Sequence, residues 1–252
     1  MVGHLVRLEG RRKVALEREY VMELPLAAAR LTLPMDEKEK HITRLVRKGA
    51  KALSKAGVRR LLTAPDNPWW EELRQWGLVP VESEGLVQAL AAPLALAALS
   101  RQGRTPERSS VALVGKRVNR AFFQAAMQLS TRVRSVAVVA PEGGEALAAE
   151  LRAEYGIPVL TAAESADAQV TLCFSPGELR GGGEVLGLCG LRPQLGGLIL
   201  ESEKQLPLPE EERLAFLTIL WETGRLSPDD LRIRHGRNRL DRGAESTYND
   251  VC

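Results

Sequence analysis

A turn that follows an apolar strand and opens a helix is a place to hold phosphate, because backbone N–H groups converge there and the helix dipole favours negative charge. Gly115-Lys116-Arg117-Val118-Asn119-Arg120 stands in that position, after Val111-Ala-Leu-Val114. Diphosphate chemistry asks for glycine at the first, third and sixth positions: for the turn, for close approach of the backbone, and for helix–strand packing. Only Gly115 meets that pattern. Arg117 fills the close-approach position and Arg120 the packing position, so a bulky side chain is expected to block the usual pose. Lys116, Arg117 and Arg120 instead offer an anion their side chains at a helix N-terminus.

Other residues invite chemistry singly. Thr63, Asp66 and Asn67 end a strand, where a carboxylate serves as a general base; helix capping explains Asp66-Asn67-Pro68 more simply. His4 falls in a strand, His41 on a basic helix face and His235 near the end of the chain, none beside a visible serine, cysteine or ligand partner in sequence. Cys173, Cys189 and Cys252 form no Cys-x-x-Cys and no His/Cys cluster, which argues against zinc. Cys173 and Cys189 lie in apolar runs and read as core thiols. Trp69, Trp70 and Trp76 read as packing of a helix on a sheet or as a dimer contact.

The elements needed to position these groups alternate between strand and helix. Residues 3–24 suggest a β-hairpin turning at Glu9-Gly-Arg-Arg12, followed by an extended link between Pro25 and Pro34. Asp36 is expected to cap a helix running through Ala56. A strand at 58–64, a tryptophan-rich helix, a strand at 78–81 and an Ala/Leu-rich helix to about Ser100 follow. The polar stretch 101–109 makes the best boundary. Beyond it come strands at 111–114, 136–139, 157–160 and 168–174 with helices between, further strands at 185–189 and 197–200, and an amphipathic helix at 209–224. The expectation is an α/β protein with mainly parallel sheets: a smaller N-terminal α/β domain with the hairpin (1–103), a second domain (104–228) and a basic tail (229–252).

Residues 110–200 resemble the NAD(P)-binding Rossmann domain, most closely its form in shikimate dehydrogenases and glutamyl-tRNA reductases. The matching segments are SVALVG (110–115), SVAVVAPEGGEALAAELRAEYGIPV (135–159) and ADAQVTLCFSPG (166–177). In those families the first carries the pyrophosphate turn, the second places the ribose and the third lies beside the nicotinamide. The resemblance implies cofactor contacts at Gly115, Lys116, Arg117, Asn119, Arg120, Glu142 and Ser175, with Glu142 where an acidic residue bonds a ribose hydroxyl.

Composition bounds the function classes. Of 252 residues, 44% are apolar and 27% charged, as in a folded globular chain, and aromatics are only 4%, few for a base-stacking surface. Net charge is +3, too small to argue for nucleic acid by itself. Residues 232–242 concentrate five arginines and one histidine against one aspartate. An odd cysteine count and a charged N-terminus without an apolar run suggest a reducing cytoplasm. The longest apolar run, 86–99, is too short to span a bilayer.

Three functions follow as expectations. The first is a non-redox binding or interaction module with a degenerate dinucleotide site and no cofactor, taking a small anionic ligand or a protein partner, with a homodimer open. The second is an NAD(P)-dependent oxidoreductase, its substrate near Asp66 and Ser175. The third is a phosphate or nucleic-acid contact through the arginine-rich tail.

Overall fold

A computed structural model describes residues 1–34, 37–160, 164–177, 181–203 and 205–236. The chain divides into two compact units, and each is discontinuous: Met1–Ser83 with Lys204–Ser227, and Glu84–Glu203 with Pro228–Cys252.

The first unit opens with β1 (Val2–Glu9), β2 (Lys13–Val21), β3 (Leu24–Leu33), α1 (Glu39–Lys55), β4 (Arg60–Leu62), α2 (Trp70–Arg74) and β5 (Val79–Pro80). Its sheet runs β2-β3-β1-β4-β5, with β1, β3, β4 and β5 parallel and β2 antiparallel on the edge. The hairpin expected over 3–24 is therefore displaced. The stretch between Pro25 and Pro34, read as an extended link, belongs instead to a ten-residue strand, β3, that inserts between β1 and β2, and the hairpin joins β2 to β3. The reason is hydrophobic. Leu24, Leu26, Ala27, Ala28, Ala29, Leu31 and Leu33 are all buried and suit an interior strand, whereas β2 carries Lys13, Glu17, Arg18 and Glu19 and suits an edge. The 10–12 link crosses the end of β3, two strand spacings or roughly 10 Å. Gly10 makes this possible: its φ is +147°, its N–H donates to the Leu33 carbonyl at 2.9 Å, and a Cβ there would meet the Thr32 methyl at 2.8 Å. Arg12, on the same link, is paired with Glu37 just before α1, and His41 Nδ1 stands 2.7 Å from the same carboxylate. The Arg12 guanidinium first, then His41, hold the Glu37 carboxyl down to about 2. The capping role expected of Asp36 lies outside the described residues.

Alternation gives this sheet two unlike faces. One, with Leu5, Ala27, Ala29, Leu31, Leu33 and Leu61, packs on α1 and α2 and holds the core with Ile42, Val46, Leu53, Trp70 and Leu73. Trp69 and Trp76 pack against its rim. The other face carries His4, Val6, Ala28 and Arg30, at paired register positions of β1 and β3.

The second unit contains α3 (Glu84–Ala89), α4 (Ala91–Arg101), β6 (Ser110–Val114), α5 (Arg120–Ser130), β7 (Ser135–Val139), α6 (Gly144–Tyr155), β8 (Val159–Leu160), β9 (Val170–Cys173), β10 (Glu184–Gly187) and β11 (Leu198–Ser202). The chain then gives α7 (Glu210–Glu222) to the first unit and returns with β12 (Leu231–His235). The main sheet is wholly parallel, in the order β10-β9-β6-β7-β8. The chain starts at the centre, steps outward through β7 to β8, then crosses back to β9 and β10. This is the doubly wound Rossmann-like order, and it places the topological switch point between β6 and β9.

Three boundaries differ from expectation. The division falls at Ser83/Glu84 rather than at 103/104, because α3 and α4 pack on α5 and β9 and bury Leu86, Val87, Leu90, Leu94 and Leu99 there. The 209–224 helix, expected in the second domain, packs with β4 of the first unit. Residues 231–235, expected in a tail, form β12 and pair antiparallel with β11, where Arg232 meets Glu203 at 2.5 Å and Arg234 meets Glu201 at 3.1 Å. Residues 237–252 lie outside the described ones.

The β2–β3 turn is built on Met22 and Glu23, with φ of +48° and +65°, the left-handed pair that a two-residue hairpin requires. Neither residue suits that region, so Glu23→Gly is expected to stabilise the chain by about 1 kcal/mol in urea unfolding. Equal or lower stability would contradict this reading of the turn.

Candidate functional sites

At the switch point the carboxyl ends of β6 and β9 lead into Gly115 and Phe174-Ser175. Phe122, two residues into α5, is sealed from solvent, and its ring centroid lies 4.9 Å from that of Phe174. A Cβ on Gly115 would touch Phe122 at 3.4 Å and Phe174 at 3.5 Å, ordinary contacts. Gly115 is not among the residues with positive φ. The one surviving glycine of the motif therefore faces a ring pair and is not demanded by the backbone.

The donors of the turn are engaged within the chain. Lys116 N–H donates to Ser175 Oγ at 2.9 Å. Val118 N–H donates to the Glu142 carbonyl at 2.9 Å, and Glu142 N–H to the Lys116 carbonyl at 3.3 Å, which bridges the two loops beyond β6 and β7. Asn119 caps α5, its Oδ1 accepting from Phe122 N–H at 2.8 Å. Its Nδ2 donates to Gln88 Oε1 at 3.3 Å, and Gln88 Nε2 in turn donates to the Phe174 carbonyl at 3.4 Å. Buried Gln88 thus laces α3 to both loops at the switch point.

The candidate residues Gly115, Lys116, Arg117, Asn119, Arg120, Glu142 and Ser175 are brought to one sheet edge, as expected. Their roles differ from the steric argument made on sequence. Arg117 and Arg120 are exposed, as are Lys116 and Glu142. What occupies the crevice is Phe122, Phe174 and the Gln88–Asn119 pair. Sequence reasoning missed Phe122 and Gln88. The available signal was a large ring at the third position of α5, where a pyrophosphate-binding helix runs close to its strand.

A separate hollow of about 620 Å³ lies beside β7 and α6, lined by Val138, Ala140, Pro141, Glu145, Ala148 and Arg152 among others, and by none of the turn residues 115–120. Cys173 is buried as expected, whereas Cys189, read as a core thiol, is only half-buried; burial is the first cause that pushes both above the usual thiol range. Cys252 lies outside the described residues. No group of three or more His, Cys, Asp or Glu side chains is arranged to hold a metal among the described residues, and none of their helices is long and apolar enough to cross a membrane.

The first unit has its own cleft, of about 770 Å³. It brings together His4, Thr63, Asp66 and Asn67, which sequence singled out separately, with Glu19, Arg30 and the start of α7. Asn67 makes a side-chain turn ahead of α2, which has no side-chain cap: its Oδ1 accepts from Trp69 N–H at 2.9 Å while its Nδ2 donates to Thr63 Oγ1 at 2.9 Å. Asp66 belongs to the first unit and Ser175 to the second. His4 is buried, with Nε2 3.0 Å from Glu212 Oε2 of α7 and Nδ1 3.4 Å from Glu19 Oε2 of β2. Burial opposes the ring's charge, but the hydrogen bond and charge of Glu212, with those of Glu19, outweigh it and hold the pKa above the ordinary 6.5. Both ring nitrogens face carboxylates, so the ring forms a clamp that ties β1 to α7 and to β2.

Comparison with known proteins adds little beyond the fold. No family model matches the sequence, and no curated protein matches it. Among solved structures, the chain is similar to L-tryptophan dehydrogenase from Nostoc punctiforme at 16% identity and a TM-score of 0.30, over 68% of this chain and 55% of that one. Ornithine carbamoyltransferase from Pyrococcus furiosus gives 19% identity and a TM-score of 0.27, over 68% and 58%. D-lactate dehydrogenase from Escherichia coli gives 13% and 0.32, over 60% and 59%. The chain thus spans less than two thirds of the length of each. At these scores the overlaps say nothing about chemistry, and the strand order itself defines the fold.

The clamp has a signed pH dependence. Because the folded pKa of His4 is raised, its stabilisation is full below about pH 6.5 and is lost as pH rises through the folded value. His4→Gln is uncharged throughout. Wild type is expected to exceed it by about 2 kcal/mol near pH 6, with the gap closing at higher pH in urea unfolding. A gap that is flat or widens would contradict the clamp.

Proposed function

We propose that this chain is a binding module on a Rossmann-like scaffold, without a redox role, whose ligand is a small anion or a partner protein rather than a dinucleotide. The observation that carries the reading is that the amides a diphosphate would use are engaged: Lys116 with Ser175, Val118 with Glu142 and Phe122 with Asn119. A diphosphate gains from a turn whose N–H groups point outward and unpaired. Here it would have to displace these bonds and part the Phe122–Phe174 rings. Exposed Lys116, Arg117 and Arg120 remain as side-chain contacts for an anion, a different mode from the backbone cradle.

The oxidoreductase reading, in the manner of shikimate dehydrogenases, would need the same turn to open. The reading of the arginine-rich segment as a nucleic-acid contact is weakened in its described part, where Arg232 and Arg234 are paired with Glu203 and Glu201.

The test is calorimetric titration and thermal melting with NAD+, NADH, NADP+ and NADPH at millimolar concentration. No saturable heat and no shift in Tm are expected. Gly115→Ala should unfold within about 1 kcal/mol of wild type, since its added methyl makes only ordinary contacts. Saturable binding of any of the four nucleotides, lost in Gly115→Ala, would overturn the proposal.

A further inference from the structure

The outer face of α1 carries cations alone. Lys40, Arg44, Arg47, Lys48, Lys51 and Lys55 are all exposed. At 3.6 residues per turn they fall within an arc of about 100°, and from Lys40 to Lys55 they extend along roughly 22 Å of helix. The opposite face, with Ile42, Val46, Ala50 and Leu53, is buried in the first unit's core. The basic stripe therefore points away from the sheet.

A helix face that serves only solvation interleaves both signs, so that acids and bases pair across one turn. Here the neighbours one turn apart repel: Lys40 and Arg44, Arg44 and Lys48, Arg47 and Lys51, Lys51 and Lys55. Glu39, the acid of α1, lies outside the arc, with Ile42 and Thr43 as its neighbours one turn on. Glu37, ahead of the helix, is held by Arg12 and His41. From α2, Glu72 reaches Arg47 at 3.7 Å, the one ion pair of the stripe among the described residues. Lys51 Nζ stands 5.5 Å from the centre of the Trp76 ring, which orients the ammonium without neutralising it. On β2, exposed Arg18 lies opposite Ala27 and adds a cation on the sheet face that α1 covers. The acids of that strand, Glu17 and Glu19, alternate to the other face, beside Arg30 and His4.

A straight row of cations is complementary to a regular polyanion. Duplex nucleic acid carries about one phosphate charge per 1.7 Å of its axis, so a length equal to the stripe offers more charges than the stripe has cations. Lipid is the poorer match, because a helix lying on a membrane inserts its apolar face, and that face of α1 is packed in the core. Lysine and arginine on an exposed helix reach phosphates in any sequence and carry no base readout. We propose that the outer face of α1 binds the phosphate backbone of duplex nucleic acid without regard to sequence. This site is separate from the turn of the second unit and from the arginine-rich segment 232–242.

The experiment uses the full chain and follows the fluorescence anisotropy of a labelled 24-base-pair DNA duplex at 50 to 200 mM KCl, with sedimentation of phosphatidylglycerol-containing vesicles as a separate arm. Saturable binding is expected at 50 mM KCl, equal for a duplex of scrambled sequence and weakening steeply with salt. In Lys40→Gln/Arg44→Gln/Lys48→Gln/Lys51→Gln the affinity should fall tenfold or more, and the slope of log K against log[KCl] should become shallower by about 3 to 4. That variant should keep the wild-type Tm or exceed it, since glutamine suits a helix and like charges are removed. Arg104→Gln/Arg108→Gln/Arg132→Gln/Arg134→Gln removes the same charge from exposed positions of the second unit and should bind like wild type. The proposal is overturned if duplex binding does not saturate, if the two duplexes differ tenfold, if the α1 variant binds like wild type, if the second-unit variant loses as much, or if vesicles are bound in preference to duplex.

Discussion

The ring of Phe122 lies at the carboxyl end of β6, against Phe174 and over Gly115. In a doubly wound sheet this is the crevice where the chain reverses direction and where a ligand would enter. Filling it with two rings converts an opening into core. Full burial of one such ring contributes about 1.5–3 kcal/mol, a sizeable share of what a domain of this size retains. The polar groups around the rings then have to find partners within the chain, since unpaired buried donors are costly. They do so through Ser175, the Glu142 backbone, Asn119 and Gln88. The closed turn thus follows from the packing, and the loss of two motif glycines accompanies it.

The first unit solves a different problem. Its segment 204–227 returns from distant sequence, and two ion pairs tie α7 to the sheet: His4 with Glu212 near its start, and Arg60 with Glu222 at its end, the latter with an Nη2–Oε1 distance of 3.0 Å. Because one tie is buried and the other partly exposed, the two should differ in strength, the exposed pair adding little. The cleft of this unit draws its lining from both sides of the sheet, with His4, Val6 and Arg30 from one face and Leu5, Leu31 and Leu33 from the other.

Much of the second unit's fold was legible in sequence because its strands are short apolar runs, such as Val111–Val114 and Val136–Val139, separated by helices with clear ends. Gly143 and Gly156, both left-handed, bracket α6 as read. The first unit was less legible. Pro25 made the stretch before Pro34 look like a link, yet Pro25 sits near the start of β3 in the antiparallel pair with β2, opposite Tyr20, where a strand tolerates proline. Strand pairing is a non-local choice, and nothing local distinguishes β1–β2 pairing from insertion of β3 between them. The domain boundary was misplaced for a similar reason. A polar stretch at 101–109 marks a turn, whereas the boundary depends on which sheet the apolar faces of α3 and α4 cover. The candidate residues at the switch point lie together because of where the strands end, but Gln88, the partner of Asn119, comes from a segment far away in sequence.

Amide hydrogen exchange in the ligand-free chain tests the closed turn most directly. If the donors are engaged as described, the N–H groups of Lys116, Val118 and Phe122 exchange much more slowly than unprotected amides, and adding NAD+ leaves their rates unchanged. Exchange at unprotected rates without ligand, with slowing on addition of NAD+, would contradict the account.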